Sequence, residues 1–237
     1  MNKIHLFVIG CIGAGLWACS SVRKVYVQTD KVPITTLSAP DDSMQAFIAP
    51  YKQQLAAEMD RQIGYATDNL KRGRPEGSLG NFVVDATLSF LEREGSIPEQ
   101  RYVCIMNNGG LRSPISQGII TVGDIYKLMP FDNTVVVAKL PKNALDSICQ
   151  YLTSSGGEPI AGFTMNEGSC QVNSPSDPDT LYVVTSDYLF NGGDHMDFFG
   201  MHYSYRNTGV FLRDILIQEV EERDTIRPVI DDRITLE

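Results

Sequence analysis

The hydrophobic pattern opens as a block and then changes period. Shortly after Lys3 comes LFVIGCIGAGLWA, a 13-residue apolar run too short to span a bilayer as a stable helix. From Ser43 the apolar residues Met44, Phe47, Ile48, Tyr51, Leu55 and Met59 recur at helical spacing, which predicts a helix. Pro50 conflicts with it and predicts a kink or a later start. A second helix is predicted over residues 79–93, burying Val84, Leu88 and Leu91 and stopping at Gly95. Short apolar runs predict strands at 102–106, 134–140 and 181–185, with further helices at 142–152 and 208–221. Helical and strand patterns alternate irregularly, so the chain reads as an α+β or mixed α/β domain without internal repeats.

The start of the chain sets its compartment. A basic residue, a short apolar run and then Cys19 with two serines describe a cleaved export signal over residues 1–18. The stretch LWAC, with Leu16 and the small Ala18 ahead of the cysteine, resembles the lipobox of bacterial lipoproteins, although Trp17 is bulkier than that motif usually has. The resemblance implies that Cys19 is lipidated and becomes the new N-terminus. Each buried acyl methylene adds about 0.8 kcal/mol, so several chains anchor firmly. Residues 19–42 then read as a tether and 43–237 as the folded domain. The expected location is the bacterial cell envelope, lipid-anchored and facing the periplasm.

Composition removes several classes of function. The formal charge of −9, with no basic stripe, argues against a nucleic-acid polymer as partner, so an anionic ligand must be caught locally. Beyond Cys11 and Cys19 the chain has Cys104, Cys149 and Cys170, an odd number without CxxC spacing. That points to neither a disulfide framework nor a zinc site. The three are read as core residues, with one bridge left open for an oxidising compartment.

Four loops share one character: GRPEGSLGN at 73–81, NNGGLRSP at 107–114, PFDN at 130–133 and DYLFNGGDHM at 187–196. Each joins a glycine or proline turn to a side chain suited to ligand contact, and paired glycines let a ligand approach bare amides. In the order SLGN, NNGGLR, GIITVGDIY, MPFDN and NGGD, with an aromatic residue six before the aspartate, the chain resembles the C-terminal, substrate-specificity domain of the 5′-nucleotidase and UDP-sugar hydrolase family. The resemblance runs from about Ser43 to the C-terminus. It implies an α/β/β/α sandwich that holds a nucleoside while a separate metallophosphatase domain cuts the phosphate ester.

Carried over by motif, Phe131 and Tyr188 match the two aromatics that clamp the base, Tyr188 standing where the family often has phenylalanine. Arg112 matches the arginine that reaches the sugar hydroxyls and phosphate side. Asp194 matches the carboxylate that accepts from the ribose, and Asn107 and Asn133 match amides near the base. A further family arginine aligns at Gly73, with Arg74 the preferred neighbour. Stacking on an aromatic face tolerates different bases, and a guanidinium fork suits both hydroxyl and phosphate.

The family's metal chemistry is missing from these residues. A dinuclear site needs several histidines and aspartates in fixed motifs, and this chain has three histidines, of which His5 lies in the signal. His195 and His202 do not build such a site. Two readings follow. In the first, the chain is the recognition half of a split 5′-nucleotidase, with no cofactor of its own and a divalent metal pair on a separately encoded metallophosphatase subunit; its ligands are nucleosides or nucleotides, UDP-sugars included. In the second, it is a non-catalytic nucleoside- or nucleotide-binding envelope lipoprotein.

Overall fold

In a computed structural model the described residues are 41–97, 102–173 and 179–236. The signal peptide, Cys19 and nearly all of the tether expected from the sequence lie outside them. The chain divides into two compact units at the Ala46–Phe47 boundary. Of the first, only residues 41–46 are described.

Helix α1 (Asp42–Met59) carries Pro50 inside it, at the loss of one backbone bond, and buries none of its residues. Strand β1 (Gln62–Ala66) follows, then α2 (Ser78–Arg93). Next come β2 (Val103–Ile105), β3 (Gly118–Thr121), α3 (Val122–Leu128) and β4 (Thr134–Pro141). The middle of the chain supplies α4 (Ala144–Ser155), β5 (Ile160–Ala161), β6 (Phe163–Asn166) and β7 (Ser169–Val172). The last part supplies β8 (Thr180–Ser186), the one-turn helix α5 (Asp187–Phe190), β9 (Ser204–Phe211), α6 (Leu212–Arg223), β10 (Thr225–Ile226) and β11 (Ile234–Thr235).

Local chemistry explains the strongest of these. Strand β4 reads TVVVAKLP, a β-branched run buried through Val135, Val136, Val137 and Ala138, with strands paired to it on both sides. Helix α2 buries ten residues, among them Leu79, Phe82, Val83 and Leu91. Thr121 and Asp124 form a reciprocal capping box that starts α3. Gly156, at φ 75°, ends α4 in the left-handed conformation that glycine tolerates best.

Three sheets result, in the orders β10-β1-β3, β11-β6-β7 and β5-β2-β8-β4-β9. Helix α6 packs against α2 and β1, while α4 packs against β7. The five-stranded sheet decides where a site can form. β2 runs parallel to β8, with Cys104 opposite Val184, and β4 runs antiparallel to β8, with Val135 opposite Ser186. The end of β2, the end of β8 and the start of β4 therefore lie at one edge. From that edge leave the loops that carry Asn107 and Arg112, Tyr188 and Asp194, and Phe131 and Asn133.

One expectation changes, and one helix packs in a way its stripe does not announce. The final helix starts at Leu212, because residues 208–211 belong to β9. There the ladder to β4 is interrupted, Gly209 adopts φ 74° and the Thr208 hydroxyl donates to Val135 O at 2.8 Å, which holds the segment on the sheet. The stripe of α1 also stays outside: Phe47, Tyr51 and Leu55 are 67, 66 and 60% exposed. The open question about a bridge resolves as well. Cys149 on α4 is joined to Cys170 on β7, with Cα atoms 5.9 Å apart, and Cys104 is a buried free thiol. Burial pushes the Cys104 thiol up, with Asp85 adding to the shift, so it stays protonated and unreactive.

Replacing both Cys149 and Cys170 with serine should lower stability by about 2–4 kcal/mol, since the bridge closes a loop of moderate length in the unfolded chain. Denaturant unfolding of wild type with and without reductant should show the same loss, and an unchanged midpoint would mean that the bridge constrains nothing.

Candidate functional site

A cavity of about 380 Å³ opens at that sheet edge, lined by Asn107, Gly109, Gly110, Arg112, Phe131, Asn133, Tyr188 and Asp194. Six of the seven binding residues expected from the sequence are brought together there. The seventh, Arg74, is placed elsewhere: its guanidinium donates to Glu158 Oε1 at 2.6 Å, to Gly157 O at 2.7 Å and to Ser155 O. It therefore ties the 73–81 loop to the turn after α4.

Asp194 is the hub of the cavity. Its Oδ1 accepts the Tyr188 hydroxyl at 2.8 Å and its Oδ2 accepts Asn107 Nδ2 at 2.6 Å. The residue adopts φ 51° and ψ 27°, just after Gly192 at φ 88°. Aspartate is one of the few side chains that enter this region readily. The bond to the Asp194 carboxylate also raises the Tyr188 phenol above its ordinary value. A phenylalanine at 188 would offer the same ring face but would leave Asp194 with one side-chain donor fewer.

Glycines make the close approaches possible. A Cβ on Gly193 would fall 2.5–2.7 Å from three atoms of the Tyr188 ring, so only glycine lets that ring lie flat against the turn. A Cβ on Gly110 would sit 2.8 Å from Asn107 Oδ1, and one on Gly109 would crowd both Asn107 and Asp194. The glycines of NNGG thus leave Asn107 room to reach Asp194, and Gly193 of NGGD leaves room for the Tyr188 ring.

The aromatic residues are left accessible. Phe131 is 45% and Tyr188 48% exposed, high values for large rings that line a cavity. Their loops are braced together by Asp187, a residue that sequence reasoning did not single out. Its Oδ1 accepts the Thr134 amide at 3.2 Å and the Tyr188 amide at 2.8 Å, so one carboxylate holds the start of β4 and the start of α5. On the other side of Phe131, Asp132 accepts from Arg213 at 2.8 Å, and that guanidinium stacks 4.3 Å over the Tyr126 ring. No sequence motif marks these braces, because they join residues 53 and 81 positions apart.

Arg112 is the site's cation. Its amide donates to Leu128 O at 2.8 Å, which fixes the backbone. Its guanidinium makes one long contact, 3.3 Å to Gly109 O, and no carboxylate pairs with it among the described residues. An exposed guanidinium held at the mouth of a cavity in a chain of charge −9 can take an anionic or hydroxyl-rich group.

The histidines do something else. His195 is exposed on the NGGD turn, and His202 places Nδ1 2.8 Å from Phe199 O with its ring against both Phe190 and Tyr205, which also touch each other. Among the described residues no group of three His, Cys, Asp or Glu could share a metal ion. A dinuclear metal centre does not fit the side chains described.

Residues 61–146 match the family model of the 5′-nucleotidase C-terminal domain. The chain is 26% identical to the trifunctional nucleotide phosphoesterase protein YfkN of Bacillus subtilis, over 90% of this chain and 17% of that protein. It is also 26% identical to the UshA protein of Yersinia enterocolitica, over 86% of this chain and 39% of that one. Among solved structures it superposes on a 5′-nucleotidase precursor from Thermus thermophilus with a TM-score of 0.67 and 25% identity, covering 84% of this chain and 44% of the other. The chain spans less than half the length of each of these proteins. The resemblance drawn from the loop motifs holds, and so does the mixed α/β fold of the 5′-nucleotidase C-terminal type.

Tyr188→Phe should separate the ring from its hydroxyl. By calorimetry, a ligand that meets only the ring face should bind nearly unchanged, while one that also meets the Asp194 carboxylate should bind severalfold more weakly, because Asp194 loses a donor that holds it. Equal losses for both kinds of ligand would show that the hydroxyl does not orient Asp194.

Proposed function

We propose that this chain, a domain of the 5′-nucleotidase C-terminal type, recognises nucleosides or nucleotides for a 5′-nucleotidase whose phosphate-ester hydrolysis is supplied by a metallophosphatase on a separate chain. The base lies between Phe131 and Tyr188, the ribose hydroxyls meet Asp194, and Arg112 takes the sugar and the phosphate side. Asn107 and Asn133 offer amides along the base. The observation that supports this reading most is the convergence of those six residues, from three loops spread between positions 107 and 194, on one cavity. Concave sites with a few convergent polar groups are where small ligands bind.

The division of labour follows from the chemistry. Hydrolysis in two-metal phosphoesterases is carried by metal-held water and metal-neutralised charge, and the side chains here provide neither. What they provide is orientation. A base fixed by stacking and a ribose fixed by a carboxylate present the phosphate in one direction, and Arg112 is the group that meets it.

The envelope location belongs to the same proposal. Cys19 is the lipidated residue, which holds the domain at the membrane surface facing the periplasm. Among the described residues no helix is long and apolar enough to cross a membrane. Cys19→Ala should abolish incorporation of labelled fatty acid and release the protein from the membrane fraction; retention of both label and membrane binding would disprove the anchor.

Binding is the direct test of the site. Phe131→Ala should weaken adenosine and uridine alike by about 1–3 kcal/mol, or roughly tenfold to a hundredfold, because a ring face does not read base edges. Arg112→Ala should weaken AMP more than adenosine. The purified chain with Mn²⁺ should release no phosphate from AMP. Absence of nucleoside and nucleotide binding at millimolar concentration would overturn the recognition reading, and metal-dependent turnover by the chain alone would overturn the split.

A further inference from the structure

A second cleft, of about 260 Å³, lies on one face of the five-stranded sheet, away from the nucleoside cavity. Its floor is a row across three strands. Tyr182 on β8 is opposite Lys139 on β4, and Lys139 is opposite Ser204 on β9. Directly paired residues project from the same face, so these three side chains stand side by side. The next row contributes Arg206, opposite Val137, which puts a second cation on that face diagonal to Lys139. Tyr102 closes one end, its ring 5.4 Å from that of Tyr182, and Ser96 closes another.

The charges make this cleft unusual. Lys139 and Arg206 stand diagonally on adjacent strands, and like charges so placed repel. The usual relief is a carboxylate, yet among the described residues none lines the cleft and neither cation has a carboxylate partner. The Lys139 ammonium lies 5.6 Å from the Tyr182 ring centroid, and the Arg206 guanidinium donates to Ser96 O. Those contacts hold the two heads over the cleft without neutralising them. In a chain with nine more acids than bases, a pair of cations at a cavity with no acid among its described lining residues is a local reversal of sign.

The remaining lining is rich in hydroxyls, from Ser96, Ser204, Tyr102 and Tyr182. We infer that this cleft is a second ligand site, and that it takes a small sugar carrying a phosphate or a carboxylate. Lys139 and Arg206 meet the anion, the serine and phenol hydroxyls meet the sugar hydroxyls, and the Tyr182 ring packs against the sugar's apolar face. The site stands apart from the nucleoside clamp, sharing none of its lining residues.

The test uses the full chain carrying Arg112→Ala, which removes the cation of the other cavity. Calorimetry is run with glucose 6-phosphate, glucuronate, glucose and inorganic phosphate. At least one of the two sugar acids should bind saturably at millimolar concentration, more tightly than glucose or phosphate, and the better one tells whether phosphate or carboxylate is preferred. Adding Lys139→Gln and Arg206→Gln together should weaken that binding by about tenfold or more, as loss of charge-assisted contacts requires. Far-UV circular dichroism checks that each variant folds; should the double variant fail to fold, Arg206→Lys should keep binding and Arg206→Gln alone should lose most of it. Saturation by neither sugar acid, inorganic phosphate binding as tightly as either, or affinity indifferent to both cations would overturn the assignment.

Discussion

A single buried carboxylate fixes the loop that carries Asn107 and Arg112 at the sheet-edge cavity. Glu158 is 4% exposed, and its two oxygens point in different directions. Oε2 accepts the backbone amide of Asn108 at 2.6 Å, and Oε1 accepts the Arg74 guanidinium at 2.6 Å. Arg74 also binds the carbonyls of Ser155 and Gly157, so three segments distant in sequence meet at one acid. Without it a buried amide would lose its partner, at roughly 1–3 kcal/mol, and the NNGG turn would lose its fixed height above the sheet. The positions of Asn107 and Arg112 follow from that turn.

Sheet register then sets the width of the cavity. The pairing of Val135 with Ser186 places the first residue of β4 and the last of β8 at the same level. Asp187 uses that proximity to hold both loops through one carboxylate oxygen. A slip of one residue would turn every side chain of β4 to the opposite face and would separate the two loops as well. Packing enforces the register: Val135, Val137 and Ala138 on β4, and Val183 and Val184 on β8, are all nearly inaccessible to water. Core burial and ring placement are thus the same constraint seen from two sides.

This arrangement also explains which parts could be read from the sequence. Strands β4 and β8 were legible because both are buried apolar runs, and α2 because its apolar residues fall on one helical face. Strand β9 was not, since SYRNTGVF is a largely exposed edge strand whose turn-forming Asn207 and Gly209 mask its period. The ligand-facing residues were legible only through the order of whole motifs, a pattern that no single loop contains. Glu158 and Asp187 were invisible for a simpler reason. An acid in a GGEP turn or ahead of an aromatic residue looks like any solvated loop acid until tertiary contacts bury or engage it. The same holds for Arg74, which on sequence alone is as good a ligand arginine as Arg112; the difference is that a carboxylate waits for Arg74 and none waits for Arg112.

That last contrast bears on where a strongly acidic domain leaves cations unpaired. Screening at physiological salt fades charge effects beyond about 8 Å, so the net charge of −9 matters less to a bound group than the charges it touches. Arginines 74, 93, 213, 223 and 233 are each engaged by a carboxylate in the fold, and their charge is spent locally. Among the described residues Arg112 meets only a backbone carbonyl, and Lys139 and Arg206 only a ring and another carbonyl. A cation that the fold leaves without a carboxylate keeps its full attraction for whatever enters the adjoining cavity. The distribution of ion pairs therefore shows which arginines the fold engages with a carboxylate, which composition cannot.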